Sequence, residues 1–306
     1  MSHALAPLWL PLVLVAMRLG FGWRLEGAAA LRAHYRALRR AHRGGVLICP
    51  NHLTMVDSAL VAWALGGPLL YLRDFAALPW NLPERRHFAA HVWSRAAVWL
   101  LKCLPIERGG ERRAQGETLA QAAWLLRRGE AVLVFPEGGR SRTGRVERDV
   151  VTYGAGRLLA AAPGTRVLCV HLRGERQTAM SNLPARRQRF RVAWAELEPR
   201  SHEQGLRRAL DCTRQIVATL AALEERTWGA AGPSERTAVG EAREEPAARE
   251  TDARPAACAN VGAATGTPHA AEDAGARAGA PADGATRGAA AQHVTERAKA
   301  RGAAVP

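Results

Sequence analysis

The chain has 306 residues, 48% of them hydrophobic, and sets 43 basic against 28 acidic side chains for a net charge of +15. That length holds one or two domains and suffices for a large core. The five cysteines are odd in number and lack any Cys-x-x-Cys pair, which fits neither a disulfide framework nor a zinc site; three lie in apolar runs, as reduced, buried thiols of a cytosolic environment do.

The charge is not spread evenly. Residues 229–306 carry nine basic and ten acidic side chains, which leaves +16 on residues 1–228, and only Lys102 and Lys299 are lysine. Arginine forks match phosphates, so the basic body suggests nucleic acid, an anionic membrane or an acidic partner such as acyl carrier protein. A GC-rich genome would also raise arginine and alanine.

Taken in chain order, the uncharged run Leu5–Met17 comes first, and Arg18 interrupts it before Leu19–Trp23. It is short for a membrane span and suits a re-entrant or interfacial helix, with Trp9, Trp23 and Arg18 at headgroup level; the bland alternative is a buried N-terminal helix. No Lys or Arg precedes the apolar core, which fits a signal peptide poorly. Ala28–His42 reads as an Arg-rich amphipathic helix, Val46–Cys49 as a buried strand and Asp57–Leu65 as a helix ended by Gly66-Gly67-Pro68. Leu69–Leu72 is a short strand candidate. A helix follows over Phe88–Lys102, then a short strand at Leu104–Ile106, an amphipathic helix over Glu111–Arg128 stopped by Gly129, and a strand over Ala131–Phe135. Val150–Ala161 reads as helix, Arg166–Leu172 and Phe190–Trp194 as strands, and Glu203–Glu225 as the last helix. Alternating strands and helices predict an α/β fold with a mixed central sheet flanked by helices. Residues 229–306 contain no Leu, Ile, Phe, Met, Trp or Tyr and cannot offset their ordering entropy, so they read as a disordered Ala/Gly/Pro/Arg-rich tail. The expected organisation is an N-terminal membrane-associated helical segment over 1–43, a catalytic domain over 44–228 and the tail over 229–306.

Two blocks carry chemistry. Asn51-His52-Leu53-Thr54-Met55-Val56-Asp57 follows the strand Val46–Cys49 and sets an imidazole and a carboxylate five residues apart. Strand ends are where α/β folds place their sites. A neutral imidazole can take a proton from a hydroxyl, and a carboxylate can fix its tautomer. Thr54 and Asp57 also match a capping box, and a carboxylate has oxygens enough for both roles. The second block, Phe135-Pro136-Glu137-Gly138-Gly139-Arg140-Ser141, follows another apolar strand. Gly138 and Gly139 would let backbone approach a ligand, and Arg140, Arg142, Arg145 and Arg148 supply positive charge suited to a phosphate. An ordinary Gly-rich turn with solvated arginines reads the same way locally. Glu137 is either an arginine orienter, a binder of acceptor hydroxyls or one half of a salt bridge. No Gly-x-Ser-x-Gly elbow, P-loop or dinucleotide fingerprint is present.

Together the blocks resemble the His-x4-Asp and Phe-Pro-Glu-Gly motifs of the glycerolipid acyltransferase family, of the phosphatidic-acid-forming type. Leu104-Pro105-Ile106-Glu107-Arg108 resembles the family's Phe-Ile-Asp-Arg block, with Glu107 in place of Asp. Gly139 stands where the family usually has Thr. Val167–Leu172 lacks the Pro of the family's fourth block. The resemblance implies His52 as general base and Asp57 as its partner. It also implies Arg108, Glu137, Gly138, Gly139 and Arg140 as the acceptor phosphate site, with no metal and no bound cofactor. The implied reaction moves a fatty acyl group from acyl-CoA or acyl carrier protein to the free hydroxyl of lysophosphatidic acid, giving phosphatidic acid, by a peripheral or monotopic enzyme at the cytoplasmic face of the inner (plasma) membrane. Glycerol 3-phosphate, another lysophospholipid or an amino-lipid is an alternative acceptor. A family member retained only as a scaffold conflicts with the intact His52 and Asp57. A nucleic-acid binder, prompted by Arg186–Arg191, lacks stacking aromatics and any helix-turn-helix or zinc pattern, so no nucleic-acid partner is expected.

Overall fold

The computed structural model describes residues 2–84, 101–107 and 112–229. Arg108, most of the helix expected over Phe88–Lys102 and, Gly229 apart, the expected tail lie outside the described residues. Six strands form one sheet: β1 (Arg24–Glu26), β2 (Val46–Pro50), β3 (Trp80–Asn81), β4 (Ala131–Leu133), β5 (Arg166–Gly174) and β6 (Arg189–Leu197). Their order is β1-β6-β5-β2-β4-β3. Every neighbouring pair is parallel except β5–β6, so the sheet is mixed, as the sequence predicts.

The flanking helices are α1 (Ser2–Val15), α2 (Ala28–Ala41), α3 (Asp57–Leu65), α4 (Pro68–Arg73), α5 (Arg112–Arg127), α6 (Gly154–Ala161) and α7 (Gly205–Trp228). Side chains of a strand alternate between faces, and β2 shows the consequence. Val46 and Ile48 join Leu31, Tyr35 and Leu60 on one face. Leu47 and Cys49 join Leu126, Leu158 and Ile216 on the other. A strand buried on both sides must be apolar throughout, which is why Val46–Cys49 reads as a continuous run. In α2 the buried Ala28, Leu31, Tyr35 and Leu38 lie three, four and three apart, one stripe of a helix that is otherwise arginine-rich. Each such leucine contributes about 1.5–3 kcal/mol. The Tyr35 hydroxyl donates to the Ala77 carbonyl at 2.6 Å, so its polar end is satisfied in the core.

Three readings are corrected. Leu69–Leu72 is helix, not strand: Pro68 opens α4 with its fixed φ, and Tyr71 turns inward to donate its hydroxyl to the Ala62 carbonyl while Leu69 stays exposed. A four-residue apolar run carries no period to separate the two outcomes. The helix expected from Val150 begins only at Gly154, because Thr152 bonds back to the Pro136 carbonyl through both its N–H and its hydroxyl. β4 ends at Leu133 rather than Phe135, since Pro136 has no N–H to continue a ladder. β1 and β3 are too short to show a period in the sequence. β1 lies in the stretch expected to form a separate N-terminal segment, and it pairs with β6 in register Arg24↔Arg189.

α1 continues into a π-helical stretch, Ala16–Gly20. One side packs inward through Ala6, Leu10 and Met17, while Leu5, Leu8, Leu12, Val15 and Leu19 are exposed. No helix among the described residues is long and apolar enough to cross a membrane.

Candidate active site

The site is built where β2 and β4 end side by side. Asn51 continues β2 by imitation: its carboxamide donates to the Leu172 carbonyl at 3.1 Å and accepts the Leu172 N–H at 2.8 Å, as a strand residue would. This pins the residue before His52 against β5. His52 then lies with its ring stacked on Phe135, centroids 3.8 Å apart and planes 16° from parallel. Its Nδ1 is 3.0 Å from Asp57 Oδ2. An ionised carboxylate only accepts, so in the neutral imidazole Nδ1 carries the proton and Nε2 presents a lone pair.

Asp57 serves both roles weighed from the sequence. Oδ2 also accepts the N–H groups of Leu53 and Thr54 at 2.5 and 2.7 Å, and Oδ1 accepts the Thr54 hydroxyl at 2.5 Å. The carboxylate that ties down the loop leading into α3 is thus the one that lies against the imidazole. Asp57 is 4% exposed, and four hydrogen-bonding groups hold it rigidly.

The second block is clamped to the first. The His52 N–H donates to Glu137 Oε1 at 3.2 Å, and the Ser141 N–H donates to the His52 carbonyl at 2.9 Å. The Ser141 hydroxyl turns away, toward Thr143 and Glu147. Arg140 lines the same cavity as His52, and its Nη1 donates to the Ser181 carbonyl at 3.1 Å and to Asn182 Oδ1 at 3.0 Å. Arg148 pairs with Glu225 at 2.6 Å. Of the run Arg186–Arg191, Arg186 donates to the Gly20 carbonyl, Arg191 reaches Glu175, and Arg189 lies 3.6 Å from Glu26.

Gly138 needs its missing side chain. Its φ is +73°, and an added Cβ would lie 2.2 Å from the Thr152 methyl, whose rotation is opposed by the bond from Thr152 to Pro136. At Gly139 a Cβ would meet nothing within 4 Å. Gly138→Ala is therefore expected to cost about 1–3 kcal/mol, and Gly139→Ala to stay within about 0.5 kcal/mol, in denaturant midpoints.

Burial pushes the Glu137 carboxyl up to about 8, against hydrogen bonds from the His52 and Glu147 backbones; the Glu147 and Glu224 carboxylates push the same way. A group raised in the folded state favours the protonated native form. Below about 4.5 folding is indifferent to it, from there to about 8 stability falls as the unfolded chain ionises first, and above 8 the full cost remains. Glu137→Gln should therefore be more stable than the parent at pH 8.5, by on the order of a few kcal/mol, with the gain gone at pH 4.5. Thermal unfolding at the two pH values checks this.

From His52 an apolar cavity of about 530 Å³ runs to α1 and α4, lined by Trp9, Leu10, Val13, Ala59, Trp63 and Tyr71 among others. Glu84 and Cys103 line its far wall beside the Leu104–Ile106 segment, where Ile106 N–H donates to the Pro83 carbonyl. The buried Lys102 fixes that segment, donating to Glu130 at 2.8 Å and to the Phe75 carbonyl at 2.9 Å. Burial pushes the Cys103 thiol up to about 11, so it is not a thiolate nucleophile at neutral pH. Among the described residues no group of three or more His, Cys, Asp or Glu is placed to hold a metal ion.

Phe135, Asn51, Ser141 and the Ser181–Asn182 pair are site residues that sequence reasoning gave no role. Phe135, Asn51 and Ser141 fall inside the quoted blocks, so proximity was the available signal; Ser181 and Asn182 had none.

The strand ends thus set the His–Asp pair beside the apolar cavity. Residues 32–173 match the family model described as acyltransferase. No curated protein matches the chain.

Proposed function

We propose that this protein is an acyltransferase that moves a fatty acyl group from acyl-CoA or acyl carrier protein to the free hydroxyl of lysophosphatidic acid, giving phosphatidic acid. The observation that carries the reading is that a cationic side chain, Arg140, and a long apolar cavity share the His52 imidazole between them. An acceptor with a phosphate would face Arg140, and an acyl chain would fill the cavity, whose volume lies in the range of about 300–1,000 Å³ usual for ligand sites. The acceptor hydroxyl donates to His52 Nε2 and attacks the thioester carbonyl. The imidazole takes the hydroxyl proton, Asp57 stabilises the imidazolium, and the departing thiolate recovers the proton as the carbon–sulfur bond breaks. The thioester supplies the driving force, so no metal or bound cofactor enters the scheme. Protonated Cys103 favours this direct attack over an acyl-cysteine. Arg108, from the family resemblance, would add a second grip on the phosphate.

The exposed Leu5, Leu8, Leu12, Val15 and Leu19 support peripheral attachment to a membrane surface, with α1 lying in the interface. Leu8→Asp with Leu12→Asp should release the protein from vesicles without lowering its unfolding midpoint; equal vesicle binding by this variant would remove α1 as the anchor. The activity is tested by incubating the detergent-purified protein with acyl-CoA or acyl carrier protein thioesters. Lysophosphatidic acid, glycerol 3-phosphate and lysophosphatidylcholine are offered in parallel, and products are resolved by mass spectrometry. Phosphatidic acid as the main product supports the reading; an ester formed only on another acceptor replaces it.

A further inference from the structure

Between β5 and β6 the chain runs out over the site and back. There the segment Thr178–Leu183 straps both motif loops together. Against the histidine loop, the Ser181 N–H donates to the Leu53 carbonyl at 3.1 Å, the Met55 N–H donates to the Asn182 carbonyl at 3.2 Å, and Thr54 and Ser181 form a parallel bridge. Against the glycine–arginine loop, Gly144 at φ +69° lies so close to the Thr178 carbonyl that an added Cβ would sit 2.3 Å from that oxygen. Arg140 closes the arrangement by donating Nη1 to the Ser181 carbonyl and to Asn182 Oδ1.

The last of these bonds has a chemical consequence. A guanidinium has donors only, so the Asn182 carboxamide must turn its oxygen toward Arg140. Its Nδ2 then points away from Arg140 with two N–H donors, and no described residue accepts from it. Asn182 is exposed, beside an arginine that lines the cavity. A neutral amide donor is thereby held next to a cation that lines the cavity, a pairing suited to an acceptor-only phosphate monoester.

We propose that Asn182 is a specificity-determining residue for the acceptor: Oδ1 holds Arg140 in place while Nδ2 donates to the acceptor's terminal phosphate oxygens. This rests on the reading of Arg140 as the phosphate grip. A headgroup whose phosphate is a choline diester offers fewer free oxygens and a cation of its own, so Asn182 favours monoesters over phosphocholine lipids. Asn182→Asp replaces the donor by an anion of equal size. It neutralises Arg140 and repels the phosphate together.

The experiment is calorimetric binding of lysophosphatidic acid and of lysophosphatidylcholine, in the same detergent, to the full-length parent and to Asn182→Ala, Asn182→Asp and Arg140→Ala. Lysophosphatidic acid binding is expected to weaken several-fold in Asn182→Ala and tenfold or more in Asn182→Asp, in line with a hydrogen bond to a charged group. Lysophosphatidylcholine binding is expected to weaken clearly less than lysophosphatidic acid binding in both variants, and the thermal unfolding midpoint to stay unchanged. Adding Asn182→Ala to Arg140→Ala should weaken binding less than it does alone, because the two side chains act as one unit. Loss of lysophosphatidic acid affinity in Arg140→Ala with none in either Asn182 variant would overturn the assignment of Asn182 alone. Unchanged affinity in Arg140→Ala, or no binding of lysophosphatidic acid by the parent, would overturn the phosphate grip itself and Asn182 with it. Equal weakening toward both lipids, or a lowered midpoint in both Asn182 variants, would make the residue a structural tie.

Discussion

Replacing His52 by alanine is expected to slow acyl transfer by about 10²–10⁴-fold, the usual worth of a positioned general base. The effect is expected in kcat, because the imidazole acts on the acceptor proton in the transition state rather than on either lipid tail. The ring is stacked on Phe135 and partly exposed, so its loss removes contact area but no buried charge partner other than Asp57, which keeps its bonds from Leu53, Thr54 and the Thr54 hydroxyl. The fold should therefore survive. Asp57→Asn is a sharper probe of the pair. One carboxamide atom would have to be a donor where the carboxylate now accepts from four groups, so both rate and stability should fall. Initial rates of thiol release from an acyl thioester, read beside thermal midpoints, separate the two variants. A His52→Ala protein as fast as its parent would remove the imidazole from the reaction.

Truncating Glu224 to alanine is expected to destabilise the protein by about 3–5 kcal/mol, the cost of stranding a buried charge. Arg173 and Glu224 are 1% and 4% exposed, and Arg173 Nη1 lies 2.8 Å from Glu224 Oε1. The second Glu224 oxygen accepts the Val146 N–H at 2.9 Å, and Arg173 Nε donates to the Gln177 carbonyl at 3.0 Å. This pair joins α7 to β5, to the loop after Arg140 and to the start of the strap that carries Asn182. Its loss should therefore loosen the phosphate side of the site before the histidine side. His171, buried 3.9 Å from Glu224 with neither ring nitrogen bonded, is pushed down to about 3 by burial and the neighbouring Arg173, so it stays neutral and cannot replace the lost partner. Arg173→Met with Glu224→Leu should recover much of the stability, since no charge is then stranded. Denaturant unfolding of the three proteins checks the order.

What could be read from the sequence is what depends on neighbours along the chain. The apolar stripe of α2, the uninterrupted run of β2 and the limits of α3 follow from local period and capping. His52 and Asp57 meet because only the short loop Leu53–Val56 separates them, so their spacing already held their geometry. α4 escaped because four apolar residues have no period, and β1 and β3 because two or three residues have none either. The clamp of Glu137 and Ser141 on His52 crosses 85 residues or more, and Arg140 meets Asn182 across 42. No local pattern encodes such pairings.

By itself the sequence determined the class of fold and the two motif loops, because each is written in contiguous residues. Only the tertiary structure decided the strand order, the cavity that α1 and α4 wall off, and the strap that joins the histidine to its arginine. Those depend on crossover connections and on which distant surfaces bury one another, and burial is a property of the packed whole rather than of any segment.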